Sequence, residues 1–259
     1  MNVASRTIEF RSIGCTFYGK SGTTAAIDDV SFTVAPDAFT SIVGPSGCGK
    51  STLLKIASGL VRPTSGETML RGQPVTTIRQ DVGFVTQDSN LFPWLTTRQN
   101  IEFALRVRGL DRQQKRARAD EYLKMVGLDG FESSYPPQLS GGMQKRASIA
   151  RTLVYDPDVL LMDEPFGALD AQTKMKLQEQ LLTIWQGRPK TVLFVTHDIS
   201  EAVALSDWVV VMSARPGRIK KIVKVDLPRP RDVYEMHSQE GFSEVYGEIW
   251  SALKDEVQV

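Results

Sequence analysis

The stretch FTSIVGPSGCGKSTLLKIASGL, residues 39–60, joins an apolar segment, a glycine-rich turn and a run with helical spacing. We predict a buried strand over FTSIVG, a turn over GPSGCGKS and a helix over STLLKIASGL. GPSGCGKS, Gly44 to Ser51, matches the pattern of a phosphate-binding P-loop and follows a strand and precedes a helix, as this pattern requires. The alternative is a glycine-rich turn with an exposed lysine, which the flanking strand and helix make the weaker interpretation.

The residue types of this loop suit a nucleotide site. Glycines allow successive backbone N–H groups to face phosphate oxygens, and the start of the helix adds a favourable dipole. Lys50 can reach the β- and γ-phosphates, and the hydroxyl of Ser51 can ligate Mg²⁺. The predicted nucleotide-binding residues of the loop are Gly44, Pro45, Ser46, Gly47, Cys48, Gly49, Lys50, Ser51 and Thr52.

Two carboxylates end a second predicted buried strand, VLLMDE, residues 159–164. Ligands of α/β sheets bind at the carboxyl ends of the strands, which is where Asp163 and Glu164 fall. Asp163 would hold Mg²⁺ through its water shell, and Glu164 would act as a general base toward the attacking water. An acidic pair also suits the start of a helix, so this interpretation depends on the P-loop.

A third motif, LSGGM, opens the predicted helix MQKRASIARTLV. Ser140 could be a simple N-cap, with Gly141 and Gly142 chosen for their conformational freedom. A Ser–Gly–Gly helix start is also an anion-binding geometry. The spacing alone leaves both interpretations open.

The rest of the chain alternates apolar strands with helices, which predicts a parallel sheet covered on both faces. The early strands are TIEFRSI, VSFTVA, ETMLRG and DVGFVTQ, and the late ones are TVLFVTH and WVVVM. From about Leu95 the spacing of the residues becomes helical, and Gly109 and Gly127 are the predicted helix ends. Further helices are predicted from Ala171 to Trp185, from Ile199 to Leu205, and in the tail over EVYGEIWSALKDE.

Composition excludes several classes of function. The 31 basic and 30 acidic side chains give a net charge of +1, so no nucleic-acid partner is expected. The basic cluster from Arg112 to Arg118 suits an exposed helix face. Cys15 and Cys48 form no disulfide framework, which favours a reducing cytosol. We expect no signal peptide, and the apolar runs are shorter than a membrane span requires.

The combination of motifs resembles one family. LSGGM followed by QKR is similar to the signature of ABC ATPases, and its place between GPSGCGKS and VLLMDE is the order of that family. The resemblance runs from about residue 7 into the tail. It implies an α/β P-loop NTPase fold, an ABC cassette with a RecA-like core, an antiparallel β portion and an inserted α-helical subdomain. ATP and Mg²⁺ are the cofactors that it implies.

The resemblance also implies an organisation of the chain. Residues 1–259 would form a single ABC ATPase domain. Residues 1–87 and 155–226 would be its nucleotide-binding α/β core, residues 88–154 its helical signature subdomain, and residues 227–259 a C-terminal helical tail.

Further site residues follow from the resemblance. Gln87 looks like the Q-loop glutamine that contacts Mg²⁺ and water, His197 like the switch histidine at the γ-phosphate, and Asp170 of ALD like the D-loop aspartate. The implied catalytic residues are Glu164, His197, Gln87 and Lys50, and the implied Mg²⁺ residues are Ser51, Gln87 and Asp163. A polar strand end and a structural histidine are the alternatives for Gln87 and His197.

An aromatic residue that stacks on adenine is expected near the first strand. Tyr18 is preferred over its neighbour Phe17, and either ring could instead pack against the strand. The sequence departs from the family pattern at Met143, where many members have glutamine, and at Gly167, where many have serine. Neither change removes a phosphate ligand or a catalytic carboxylate, so an active enzyme is expected.

The family implies partners for the chain. Two copies would pair head to tail with ATP between the P-loop of one and Ser140, Gly141 and Gly142 of the other. The loop LFPWLTTRQNI and the tail motifs RPGRI and VDLPRPRD resemble the nitrate, sulfonate and taurine importers. A separate permease and a solute-binding protein would then be partners, and the chain would lie peripherally at the cytoplasmic face of the inner membrane. The alternatives are an ABC ATPase of repair, translation or cofactor assembly, and a scaffold with an inactive nucleotide site.

Overall fold

The computed structural model describes residues 7–19, 22–188 and 190–257. Within them the chain forms ten strands: β1 (Ile8–Gly19), β2 (Gly22–Val34), β3 (Phe39–Val43), β4 (Ser65–Leu70), β5 (Gln73–Pro74), β6 (Val82–Val85), β7 (Val159–Asp163), β8 (Thr191–Val195), β9 (Trp208–Met212) and β10 (Ile219–Lys224). The described residues also form seven α-helices: α1 (Lys50–Ala57), α2 (Thr97–Ala104), α3 (Arg112–Met125), α4 (Gly141–Leu153), α5 (Ala171–Gly187), α6 (Ile199–Leu205) and α7 (Phe242–Val257).

The larger sheet has the strand order β10-β9-β3-β8-β7-β6, and all of its strands are parallel except β10, which is antiparallel to β9. Every residue of β3, β7 and β8 is buried. Leu161 and Leu193 face α1 and the smaller sheet, whereas Leu160 and Phe194 face the helices of the other side. The prediction of buried parallel strands is confirmed.

The smaller sheet is antiparallel, in the order β2-β1-β4-β5. Its first two strands form a hairpin longer than TIEFRSI and VSFTVA predicted, because β1 and β2 continue to Gly19 and from Gly22. Irregular pairing interrupts the alternation of apolar residues between Phe10 and Thr16, which hides the strand in the sequence. Gly66 has φ +74°, and a Cβ there would lie 2.2 Å from the carbonyl oxygen of Ser12, so only glycine allows β4 to approach β1 this closely.

The helices begin and end at residues that the sequence indicates. Ser140, Asp170 and Asp198 are the N-caps of α4, α5 and α6, and each side chain accepts a hydrogen bond from the backbone of the first turn. Gly109 and Gly127, which were predicted to end helices, both have φ +66°. Helix α6 has the predicted bounds, and α5 continues two residues beyond Trp185.

Helices α2, α3 and α4 follow β6 and precede β7 in the chain, and they pack on one another. Helix α7 packs on α6 and on the outer strands β9 and β10. Among the described residues, no helix is both long enough and apolar enough to cross a membrane.

Candidate functional site

The predicted phosphate loop lies between β3 and α1 and has the backbone that such a loop needs. Gly47 and Gly49 have φ +75° and +99°, and Gly49 is the residue at which α1 begins. A side chain at either position would be strained, so glycine is required by the path of the chain. The Nζ atom of Lys50 donates to the carbonyl oxygens of Gly44 and Pro45, each at 2.8 Å. Lys50 is therefore held inside the loop rather than exposed, against the simple-turn interpretation.

The loop is joined to the end of β7. The hydroxyl of Ser51 donates to Oδ1 of Asp163 at 2.9 Å. Burial raises the pKa of Asp163, and the charge of Glu164 beside it raises that pKa further, although the hydrogen bond from Ser51 opposes the shift. A buried carboxylate next to a second one is a site whose electrostatics favour a cation. The hydroxyl and carboxylate oxygens are hard ligands that suit Mg²⁺.

Glu164 lies at the carboxyl end of β7 in an unusual conformation. Its φ is +43°, in the left-handed region that non-glycine residues rarely adopt. Its backbone N–H donates to the carbonyl oxygen of Val195 at 3.0 Å, which fixes the turn. Its Oε2 lies 3.3 Å from Nδ1 of His197, which follows β8. Strain of this kind persists where the surroundings impose it, and it is common at active sites.

These residues surround one cleft of about 350 Å³. Its walls include Gln87, Glu164 and the loop residues Ser46, Gly47, Gly49, Lys50, Ser51 and Thr52. The cleft is thus lined by Lys50, residues of the phosphate loop and Glu164, which the sequence singled out, and Asp163 contacts Ser51 beside it. Because Ser51 and Asp163 are already in contact at its base, the residues present fit a magnesium nucleotide.

The aromatic wall of the cleft differs from the sequence-based preference. Phe17 lines the cleft together with Thr24 and Ala26, whereas Tyr18, the preferred residue, is not part of its lining. Successive side chains of β1 point to opposite faces of the sheet, and Tyr18 is 78% exposed. The lining therefore favours Phe17, which pairs with Thr24 across the hairpin, as the residue that would stack on adenine.

The signature residues lie elsewhere on the same protomer. Ser140 and Gly142 line a separate cavity of about 240 Å³ with Ala168, Leu169 and Asp170. The hydroxyl of Ser140 accepts from the backbone N–H of Met143 at 3.3 Å, so the capping interpretation is correct as local structure. Gly141 leaves the start of α4 open to a ligand, since a Cβ there would meet nothing within 4 Å, whereas a Cβ on Gly142 would lie 3.4 Å from Leu169. The structure thus brings the signature to the D-loop, not to the phosphate loop.

Two residues near the cleft were not singled out from the sequence. Lys145 of α4 is buried, and its Nζ donates to the carbonyl oxygens of Thr86 and Gln87 at 2.7 and 2.8 Å. Burial lowers its pKa to about 8, opposed by the charges of the neighbouring carboxylates. Arg215, after β9, also lines the cleft. Both residues belong to segments quoted above, QKR and RPGRI. The sequence of such a segment does not indicate which groups its charged side chain will contact.

The fold and the cleft define a class. A phosphate loop between a central parallel strand and a helix lines one cleft with the strained Glu164. The buried Asp163 contacts Ser51 of that loop, and His197 lies beside Glu164 in an adjoining pocket. These are the parts of a P-loop nucleotide hydrolase.

The comparisons with known proteins specify the family. The family model described as ABC transporter matches residues 27–167. An uncharacterized ABC transporter ATP-binding protein of Methanocaldococcus jannaschii is 52% identical over 232 residues, which cover 90% of this chain and 85% of the relative. An aliphatic sulfonates import ATP-binding protein of Bacillus cereus is 44% identical over 239 residues, 92% of each chain.

Solved structures agree with these relatives. A dimeric ATP-binding cassette in a post-hydrolysis state, bound to ADP and Pi, superimposes with a TM-score of 0.78 at 33% identity, over 84% of this chain and 98% of that one. The chain belongs to the ATP-binding subunits of the ABC transporter family. It is an ATPase that uses ATP with Mg²⁺, and its fold is the predicted α/β ABC cassette.

Proposed function

We propose that the chain powers an ABC importer that takes up a small anionic solute, of the nitrate, sulfonate or taurine kind, through a separate permease. The observation that carries this proposal is the 44% identity to an aliphatic sulfonates import ATP-binding protein over 92% of both chains. The subunit would be peripheral, at the cytoplasmic face of the inner membrane, and a solute-binding protein would deliver the solute to the permease. Residues 88–154 would be its helical signature subdomain, between the two parts of the core at 1–87 and 155–226, and 227–259 its tail.

The contacts of the cleft support a division of roles. Lys50 and the loop amides would bind the phosphates, and Phe17 would stack on the adenine. Ser51, Asp163 and Gln87 would hold Mg²⁺, which neutralises charge on the phosphates when bound. Glu164 would accept a proton from the attacking water. His197, whose ring nitrogen lies 3.3 Å from Glu164, would orient that carboxylate and contact the γ-phosphate.

A second copy of the chain would complete the site. Ser140 and Gly142 line a cavity with the D-loop, away from their own phosphate loop. With Gly141, they would meet a nucleotide that is held by another protomer. The dimeric state of the matching cassette supports the same arrangement. ATP would therefore favour a closed dimer, and its hydrolysis would release it, because the ligand binds one state better than the other.

An aromatic surface near the start of α2 would receive the permease. Trp94 is 70% exposed, and its ring centroid lies 5.5 Å from that of Phe92, which in turn packs on Phe103 at 4.7 Å. Leu91, Phe92 and Leu95 of the same segment are partly buried, so Trp94 is its exposed ring. Exposed aromatic rings that pack on other aromatic rings often mark protein interfaces.

Trp94→Ala tests the coupling. We expect the variant to keep the ATPase rate and melting temperature of the purified subunit, while solute uptake and assembly with the permease fall. Trp250→Ala is the matched control, because Trp250 is 46% exposed on α7, remote from this surface in the sequence and in the fold. Normal uptake by the Trp94 variant, or loss of its intrinsic ATPase, would contradict the proposed role.

The alternative is an ABC ATPase that meets no permease. Co-purification separates the two: the tagged subunit should retain membrane subunits encoded beside it after mild detergent extraction. A subunit that is isolated alone from such membranes, and still hydrolyses ATP, would favour the alternative.

A further inference from the structure

The loop between β9 and β10 brings a second cation to the nucleotide cleft. Arg215 of this loop lines the cleft that also contains Lys50. Its Nε donates to the carbonyl oxygen of Gly47 at 3.1 Å. In the described part of the chain this is the one hydrogen bond that its guanidinium makes. Four of the five N–H donors of the side chain are therefore left for a ligand.

The contacts of the loop with the phosphate loop are close and specific. A Cβ on Gly47 would lie 2.7 Å from Nη2 of Arg215. A Cβ on Gly217 would lie 1.9 Å from the carbonyl oxygen of Cys48, so the backbone of one loop rests directly on the other. The guanidinium thus lies against Gly47 of the phosphate loop, whereas the ammonium of Lys50 bonds to Gly44 and Pro45 of the same loop.

Two further elements hold this loop in place. On one side, Gly217 donates to the carbonyl oxygen of Ala26 at 2.9 Å and accepts from the backbone N–H of Asp28 at 3.0 Å, both on β2. On the other side, the backbone N–H of Ala214 donates to the carboxylate of Glu256, at the end of α7, at 2.6 Å. Arg215 is therefore carried on an anchored backbone, which lowers the entropy lost when its side chain binds.

The neighbouring arginine of the same loop differs in its surroundings. Nε of Arg218 donates to the carboxylate of Asp28 at 3.0 Å, in a separate depression outside the nucleotide cleft. Of the two arginines, one is paired with a carboxylate and the other faces the cleft. A guanidinium presents donors in a planar fork that matches the oxygens of a phosphate group.

We propose that Arg215 is a further nucleotide-binding residue, whose guanidinium donates to a phosphate oxygen of ATP in the cleft that it lines together with Lys50. The proposal rests on the proposed function, since it assumes that ATP binds in this cleft. It adds to the site a residue from outside the phosphate loop and the sheet edge. It also makes the RPGRI segment part of the nucleotide site rather than a connection between two strands.

Calorimetric titration of MgATP into five proteins tests the proposal: the wild type, Arg215→Gln, Arg215→Lys, Arg218→Gln and Lys50→Ala. A hydrogen bond to a charged group contributes about 1.5–3 kcal/mol, and an exposed one falls at the low end, so Arg215→Gln should weaken binding about tenfold. Arg215→Lys should lose less, because it keeps the charge. Arg218→Gln, the matched control, should stay within twofold of the wild type.

Two results would overturn the proposal. If Arg215→Gln binds MgATP within twofold of the wild type while Lys50→Ala fails to bind, ATP lies in the cleft but does not meet Arg215. If Arg218→Gln loses as much as Arg215→Gln, the loss comes from the loop as a whole and not from a contact between Arg215 and the nucleotide. Unchanged binding by Lys50→Ala would instead remove the assumption that the cleft is the nucleotide site, and the proposed function would fail with it.

Discussion

Glu164 occupies a backbone conformation that suits glycine better, so its replacement by glycine should stabilise the protein and abolish its activity. At φ +43° an L-residue carries about 1–2 kcal/mol of strain that glycine lacks. Glycine gives back about 0.5–1 kcal/mol through the greater freedom of the unfolded chain. Removal of the carboxylate also relieves its repulsion with Asp163, whose pKa it helps to raise. We expect a net gain of about 0.5–1 kcal/mol in the free energy of unfolding.

The gain should appear as a rise in melting temperature of about 1–4 °C for a chain of this size. Thermal unfolding is followed by circular dichroism without nucleotide, because bound ATP would itself stabilise the folded state. The ATPase rate of the same sample should fall by about 10²–10⁴-fold, as expected when a general base is lost. The isosteric variant Glu164→Gln is the control: it loses the charge but keeps the strained backbone.

The comparison of the two variants isolates the backbone. Both should bind MgATP and hydrolyse it poorly, and Glu164→Gly should melt above Glu164→Gln. If the glycine variant melts at or below the glutamine variant, the left-handed conformation stores no strain and the reasoning is refuted. If either variant keeps turnover within a few-fold of the wild type, Glu164 is not the general base.

Three further predictions concern buried groups of the site. Lys50→Ala should abolish MgATP binding measured by a fluorescent analogue. Its melting temperature should stay near that of the wild type, since within the described residues the lysine ammonium bonds to its own loop alone. Unchanged affinity would contradict the phosphate role. Cys48 should react slowly with iodoacetamide, because it is fully buried and burial raises its pKa; Cys48→Ala should remain active, and fast labelling of Cys48 at pH 7 would contradict the burial. Burial lowers the pKa of Lys145 to about 8 from 10.5, so the folded protein releases this proton at a lower pH than the unfolded chain does. Relative to Lys145→Met, the free energy of unfolding should therefore rise between pH 8 and 10.5 by up to about 3 kcal/mol. The last prediction would be contradicted if the free energies of unfolding of the two proteins changed equally with pH across that range.

The chemistry of the cleft could be predicted where it depends on short segments of sequence. GPSGCGKS specifies its own backbone through its glycines, and β7 and β8 specify theirs through continuous apolar runs. The carboxyl ends of parallel strands meet at one edge, so the contact between Ser51 and Asp163 follows from two local patterns. Ser140, the N-cap of α4, was readable for the same reason, because capping is a local interaction.

Features that depend on pairing between distant segments could not be read in the same way. The choice between Phe17 and Tyr18 depends on the register of β1 against β2, and irregular pairing shifts that register by residues that no periodicity reveals. Lys145 reaches the carbonyl oxygens of Thr86 and Gln87 only because α4 packs beside the end of β6, a contact between segments far apart in the chain. Trp94 is exposed whereas Leu95 is partly buried, and this difference depends on how the segment before α2 packs in the fold.

The close contact between the loop after β9 and the phosphate loop limits how this sequence can diverge. A side chain at position 217 would displace the carbonyl group of Cys48, and one at position 47 would collide with Arg215. The loop after β9 is fixed by β2 and by Glu256, so a side chain at position 217 requires a shift of the phosphate loop. A side chain at position 47 is strained by φ +75° and requires Arg215 to move. A substitution in one loop therefore requires a compensating substitution in the other. Among relatives that keep the arginine, glycine should be retained at both positions together, even where the rest of the C-terminal region has been replaced.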